Sequence, residues 1–383
     1  MTLGVSRAVT LLALMLPAFA GAEGPTAAEQ LADLTPDRLL RQVSAAVHDA
    51  TYSGTLVRSS NGSMATMQVW HRNDDGFVRE KLVNLDGESR EVLRHGDELI
   101  CLLPKRRLKL VDSAAGDSNA FVRLPETNGV IDRFYTLERG PDMRLADRQA
   151  YTFFVRPRDR FRYGYRLWTD AETFLPLRMQ LMNGRKVVEE IRFAAISVGT
   201  PIADETFISN IDSTGFEVSY VDSQSAEDLP PETNTVIAKQ RARAPASAEA
   251  TAVPAMANSL VATGAPARRG SAVGGVRWPA EPASGFKLGK DQSQTVVVNG
   301  RVAQRYVFTD GLAIVSVFIS IVDGDAFEGS KASRFGAVHS YRTRVGDRVI
   351  TLVGEVPVET LQRIAGQAEL AALPQPEVAG DTE

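Results

Sequence analysis

Residues 177–193 read LRMQLMNGRKVVEEIRF. Two runs, 177–182 and 187–193, meet at Asn183-Gly184, the strongest short hairpin signal a sequence offers. Working outward, 151–156 and 161–168 form another strand pair, and 91–103 reads as a hairpin turning at His95-Gly96-Asp97. In 63–71, Met67 and Val69 point one way while Thr66, Gln68 and Trp70 point the other, the period of a strand. A helix precedes them: Thr35 suits the N-cap, Pro36 the first helical position, and Leu39, Val43, Ala46 and Val47 recur at helical spacing. One helix followed by many consecutive antiparallel strands predicts a single large, strongly curved sheet.

Beyond that sheet the composition shifts. Residues 223–275 are dominated by Ala, Pro, Ser, Thr and Gly, with no aromatic residue between Tyr220 and Trp278. Such a stretch buries too little apolar surface to offset the entropy of ordering it, so it is expected to be a flexible linker. A helical hairpin is the alternative, weakened by Pro245, Pro254 and Pro266. Order returns at Trp278: 305–308 and 312–321 flank the turn Thr309-Asp310-Gly311, and 338–344 pairs with 348–354. Pro357 then opens a helix with Val358, Leu361, Ile364 and Ala365 as its apolar positions. The expected organisation is a signal peptide over 1–22, an N-terminal domain over 23–222, the linker 223–275, a C-terminal α+β domain over 276–370 and a disordered tail over 371–383. The fold class is mainly β with α+β character, a smaller antiparallel sheet plus helix following the large one.

The signal peptide rests on a three-part pattern. Arg7 leads into an apolar stretch over 8–16, Pro17 ends it, and small residues place a cut near Ala20 or Ala22. The chain is expected to be exported. After the first twenty residues, nothing approaches the ~18 apolar residues of a membrane span. Of 383 residues, 43 are basic and 47 acidic, a formal charge of −4, which disfavours a nucleic-acid partner. The single cysteine, Cys101, excludes an intramolecular disulfide and sits in an apolar strand as a small inert hydrophobe with no nearby cation.

Enzyme signatures are missing. There is no nucleophile elbow, P-loop, dinucleotide fingerprint or His-Glu-x-x-His. His48, His71, His95 and His339 are scattered, and Glu189 and Glu190 face opposite ways along a strand. No catalytic residue, metal site or cofactor is expected. What chemistry there is lies in 35 Arg against 8 Lys. A GC-rich genome produces that bias; so does recognition of carboxylate or phosphate by planar guanidinium forks. Lys105, Arg106 and Arg107 follow the buried strand at a turn, and Arg156, Arg158, Arg160 and Arg162 stand at even spacing. These are a solvated face or an anion site, and as an anion site Lys105, Arg106, Arg107, Arg156, Arg158 and Arg160 would meet a phosphorylated lipid headgroup or an acidic peptide. The curved sheet also has a concave apolar side, with Met67, Val69, Phe153, Tyr163, Tyr165, Leu167 and Met179 as candidate lining. It is either a filled core or a cavity for acyl chains or an apolar peptide.

Leu167-Trp168-Thr169-Asp170 followed by Leu175-Pro176-Leu177-Arg178 resembles a turn of the outer-membrane lipoprotein carrier superfamily. The wider set is similar to the MucB/RseB family: Tyr52-Ser53-Gly54-Thr55, Arg90-Glu91-Val92 with Gly96-Asp97-Glu98, Trp278-Pro279 with Pro282 and Gly285-Phe286, Asp310-Gly311-Leu312, and Val353-Gly354-Glu355-Val356-Pro357. The resemblance implies an unclosed β-barrel for the first domain. It also implies a periplasmic negative regulator of an envelope-stress sigma factor in a Gram-negative cell. Such a protein binds the periplasmic part of a membrane-anchored anti-sigma factor, shields it from the first regulatory protease, and is released by lipopolysaccharide. The Ala/Pro-rich linker is longer than the family's. A periplasmic lipid or lipoprotein carrier is the competing reading, and exposed edge strands would permit a homo-oligomer.

Overall fold

The computed structural model describes residues 34–60, 62–112, 131–221, 275–289, 294–298, 301–321 and 329–370, together with Leu31. The expected signal peptide, the tail 371–383 and all but the last residue of the linker lie outside the described residues.

Helix α1 (Pro36–Asp49) starts where its capping residues place it. Thr35 is extended, its Oγ1 accepts the Arg38 N–H at 3.2 Å, and Pro36 occupies the first turn, where a missing N–H costs nothing. Leu39, Leu40, Val43 and Val47 are buried, and Ala46 is only partly so. The buried stripe is wider than the sequence reading, which omitted Leu40. The Asp37 N–H, orphaned in the first turn, is satisfied by Asp132 Oδ1 at 2.8 Å.

The first sheet has thirteen strands. They are β1 (Tyr52–Ser60), β2 (Ser63–Asp74), β3 (Phe77–Asn84), β4 (Glu91–His95), β5 (Glu98–Leu103), β6 (Leu108–Asp112), β7 (Tyr135–Arg139), β8 (Met143–Leu145), β9 (Arg148–Pro157), β10 (Gly164–Asp170), β11 (Pro176–Asn183), β12 (Lys186–Val198) and β13 (Glu217–Val221). Hairpins carry the chain outward from β1 to β6, and β1 also pairs with β12, which leads through β11 and β10 to β9. β7 and β8 both pair with β9, while β13 joins β6 in parallel. The ends β13 and β7 do not meet, so the sheet is an unclosed barrel, as the resemblance implies. The predicted hairpins are all present. The Asn183-Gly184 turn keeps the two-residue length its signal suggests but is shifted by one position: Asn183 pairs with Lys186, leaving Gly184 and Arg185 at the tip. β10 begins at Gly164, because 158–162 bend.

Alternation puts one apolar set inside. Tyr52, Leu56, Met67, Val69, Leu82, Val92, Cys101, Ile191 and Phe193 form one core with Leu175, and Val47 of α1 joins it. Burying a side chain of this size stabilises the fold by roughly 1.5–3 kcal/mol. Cys101 is buried as expected, and burial pushes its thiol pKa up. Arg90 opposes that shift, a cation the sequence reading did not place there.

His71 is also interior. Its ring stacks on Tyr52 with centroids 4.7 Å apart, and Nδ1 lies 2.9 Å from the Ala50 carbonyl, to which it donates as the neutral tautomer. Burial lowers its pKa from 6.5 to about 4, with the Ala50 hydrogen bond opposing and His48 and Arg94 adding to the fall. The unfolded chain thus binds a proton at higher pH than the folded one. Stability from this group is complete above pH 6.5 and declines as pH falls toward 4, by about 3 kcal/mol across the window. Urea midpoints measured from pH 7 to pH 4 are expected to fall steeply for the native protein and less steeply for His71→Phe. Parallel profiles refute the assignment.

The second sheet has seven strands, β15 (Lys287–Leu288), β16 (Gln294–Val298), β17 (Arg301–Thr309), β18 (Ile314–Ile321), β19 (Lys331–Phe335), β20 (Val338–Val345) and β21 (Arg348–Gly354). Before and after it, β14 (Val276–Arg277) and β22 (Glu369–Leu370) pair with each other. Helix α2 (Val358–Ala365) packs on β20 and β21. Phe286, Phe308, Val317, Ile350, Leu361 and Ile364 lie in its core, and Trp278 Nε1–H donates to the Ile364 carbonyl at 2.9 Å. Thr360 is buried too, a polar position that the apolar spacing of α2 passed over.

Candidate functional site

Cross-strand register gathers the apolar candidates. Phe153 pairs with Leu167, Leu167 with Met179, and Met179 with Ile191. Phe193, two residues along β12, pairs with Leu56, and Leu56 with Met67. Met67, Val69, Phe153, Leu167 and Met179 therefore share one face, and Tyr165 lies two residues from Leu167 on the same side. Val69, Phe153 and Leu167 are fully buried, whereas Met179 and Tyr165 are partly buried.

Tyr163 has a different setting. It precedes β10 and packs with Leu181, Val188 and Ala337, the last from the turn between β19 and β20. Its hydroxyl lies 3.3 Å from the Ala337 carbonyl and 3.1 Å from His339 Nδ1, which is itself 2.8 Å from the Val356 carbonyl. Burial raises the Tyr163 pKa and lowers that of His339, so both are held neutral. Gly336 in the same turn has a φ of +60°, and a Cβ there would meet Ser60 Oγ at 2.9 Å. The apolar face of the first sheet thus runs up to a turn of the second.

A second joint lies beside it. Arg162 is completely buried, its Nη1 2.9 Å from Asp310 Oδ2 and its Nε 3.1 Å from Asp159 Oδ1. The Arg162–Asp310 approach is ionic without hydrogen-bond alignment. A third nitrogen, Nη2, donates to the Ser284 carbonyl. Phe134, Tyr135 and Phe286 surround the guanidinium with ring centroids at 4.4, 5.8 and 5.4 Å. Asp310 also accepts the N–H groups of Leu312 and Ala313 at 2.9 and 2.7 Å. Burial pushes the Asp310 carboxyl up, and Arg162 and the two amides oppose it. Gly285 (φ +78°) admits Phe134, whose Cζ would lie 2.5 Å from a Cβ at that position. Thr360 Oγ1–H donates to the Phe161 carbonyl at 2.5 Å.

The basic candidates divide. The even spacing of 156–162 presents one face only in extended chain, and the bend breaks it. Arg156 is exposed and pairs with Glu138 at 2.7 Å; Arg158 and Arg160 are exposed, Arg160 over Phe161; Arg162 turns inward. Lys105 and Arg106 lie on a short 3-10 turn, Pro104–Arg106, and Arg107 is left-handed. All three are exposed; Lys105 pairs with Glu88 at 2.7 Å, and Arg107 donates to the Gly215 carbonyl at 3.2 Å. Among the described residues no cluster of three or more His, Cys, Asp or Glu could hold a metal ion. The pairing of Arg162 with Asp310 went unread because Asp310 carries only a turn signal and 148 residues separate the two.

Comparison with known proteins covers both sheets. Residues 35–211 match the MucB/RseB N-terminal domain and 275–369 the MucB/RseB C-terminal domain. The sigma factor AlgU regulatory protein MucB of Pseudomonas aeruginosa is 28% identical over 85% of this chain and 88% of its own. A crystal structure of MucB in complex with MucA(peri) superposes with a TM-score of 0.58 at 25% identity, covering 88% of this chain and 98% of that one. The complex structure of Pseudomonas aeruginosa MucA/MucB gives 0.57 at 25% identity, covering 88% and 99%.

Proposed function

This chain belongs to the MucB/RseB family, and on that footing we propose that it is a periplasmic negative regulator that binds the periplasmic part of a membrane-anchored anti-sigma factor. The observation that carries the reading is the match across both domains, together with the similar MucB seen in complex with MucA(peri). Bound, it shields the anti-sigma factor from regulated proteolysis and keeps the envelope-stress sigma factor silent. Residues 1–22 are its export signal and 223–275 the tether between its two domains.

Release is assigned to lipopolysaccharide or phospholipid. The apolar face of the first sheet suits acyl chains, and the exposed Lys105, Arg106 and Arg107 suit a phosphorylated headgroup. A lipid or lipoprotein carrier would use the same face but has no need of the second sheet.

The test is reconstitution. The mature protein is mixed with a detergent extract of the cell envelope, and the anti-sigma factor is exposed to its first protease. The protein is expected to retain the anti-sigma factor and slow its cleavage, and added lipopolysaccharide to restore it. Arg106→Glu with Arg107→Glu is expected to blunt the lipopolysaccharide effect while leaving protection intact. Unchanged cleavage in the protein's presence refutes the regulatory reading. Full protection that lipopolysaccharide never lifts refutes the release mechanism.

A further inference from the structure

The outer face of the first sheet carries an ordered array that the regulatory reading does not use. Register aligns Phe154, Arg166, Gln180 and Glu190 across β9 to β12, with Thr152, Trp168, Arg178 and Arg192 aligned beside them. Cations and rings alternate along it. The Arg156 guanidinium lies 4.9 Å from the Phe154 ring centroid, Arg166 lies 5.0 Å from Phe154 and 5.7 Å from Trp168, and Arg178 lies 4.5 Å from Trp168. The two outer cations are neutralised from within the protein: Arg156 by Glu138 at 2.7 Å and Arg178 by Glu190 at 2.8 Å. The Glu190 carboxylate is held further by Gln180, whose amide donates to it.

Arg166, in the centre, has no such partner. Among the described residues its guanidinium makes no hydrogen bond or ion pair and lies over the two rings, and its Nε is buried without a hydrogen bond. The Nη nitrogens are not among the buried unpaired atoms, so its solvent access is at that end of the fork. Aromatic faces on both sides hold the guanidinium in place, which removes much of the rotamer entropy an arginine loses on binding. A solvated arginine needs no such frame.

We propose that Arg166 is the anchor of a binding site for a carboxylate presented by an acidic protein segment. The planar fork matches a carboxylate in bidentate geometry. Arg156 and Arg178 on either side are each matched by one carboxylate, so a single carboxylate at Arg166 completes the same pattern of charge, whereas a dianion exceeds it. The site stands on the opposite side of the sheet from the apolar face and does not depend on the anti-sigma reading.

The test uses the mature full chain and two blocked peptides of equal length, one with glutamates at alternate positions and one with glutamines. Binding is followed by titration calorimetry. The glutamate peptide is expected to bind and the glutamine peptide not to. Arg166→Gln is expected to weaken the glutamate peptide about 10-fold, equivalent to about 1.4 kcal/mol. Glu138→Gln, which frees Arg156, is expected to tighten it about threefold, and this arm decides the matter if Arg166→Gln does not fold. Equal binding of the two peptides, or affinity unmoved by both substitutions, overturns the proposal. So does a loss of binding to phosphatidylglycerol vesicles in Arg166→Gln with the peptide affinity unchanged, which would make the array a membrane-facing surface.

Discussion

Asp310→Ala is expected to cost about 3–5 kcal/mol of stability, the range for removing one member of a buried ion pair. The cost follows from what is left behind. The Arg162 side chain has no exposed surface, and loss of Asp310 strands its Nη1 in an aromatic enclosure formed by Phe134, Tyr135 and Phe286. Asp159 on Nε and the Ser284 carbonyl on Nη2 compensate only in part. Some of the loss is local, since the Asp310 carboxylate also receives the Leu312 and Ala313 amides. Asp310→Asn separates the two contributions: it keeps an acceptor for the turn and removes only the charge. Urea unfolding of Asp310→Asn, of Arg162→Met and of the double variant is the measurement. Each single change is expected to be strongly destabilising, and the double much less so than their sum, because neither charge is then stranded. Simple additivity would show that the two groups are not coupled.

Phe153→Ala is expected to be as severe, about 3–5 kcal/mol, if its surroundings do not collapse. Phe153 is fully buried, faces Leu167 across the β9–β10 ladder, and lies under the Arg139 guanidinium at 5.2 Å. The same variant bears on function. A face built to admit acyl chains should accept one in the space the ring vacates. Decanoate added at about a hundred times its dissociation constant would then return roughly 2.7 kcal/mol through binding to the folded state alone. Thermal melts with and without decanoate read this directly. A large loss without recovery means that this stretch is closed core and that any lipid must enter elsewhere along the face.

Several elements were legible because their causes are neighbours in the chain. Thr35 and Pro36 specify the start of α1 through an N-cap bond three residues long. The turns at Gly96, Gly184 and Gly346 join strands whose partners come next, and all three glycines take positive φ. Arg162 shows the limit. Its even spacing with Arg156 grouped the two, yet one ends on the surface beside Glu138 and the other beneath three aromatic rings. The bend after Pro157 separates them, and no alternation rule survives a bend. Tyr163, a candidate for the apolar lining, packs with Tyr165 and Leu181 and also reaches Ala337 and His339 of the second sheet, contacts that no local pattern carries.

By itself the sequence determined the two helices and the hairpins with a clear turn signal, because those follow from periodicity, caps and turn residues within a few positions; strands such as β3, β6, β7 and β13 carried no such signal. The tertiary structure alone decided that β1 lies beside β12 and that β13 joins β6 in parallel. It alone placed Arg162 against Asp310, and framed Arg166 by two rings with no carboxylate partner among the described residues. Those outcomes depend on which distant groups desolvate one another when the sheets assemble, and a local pattern carries no record of that.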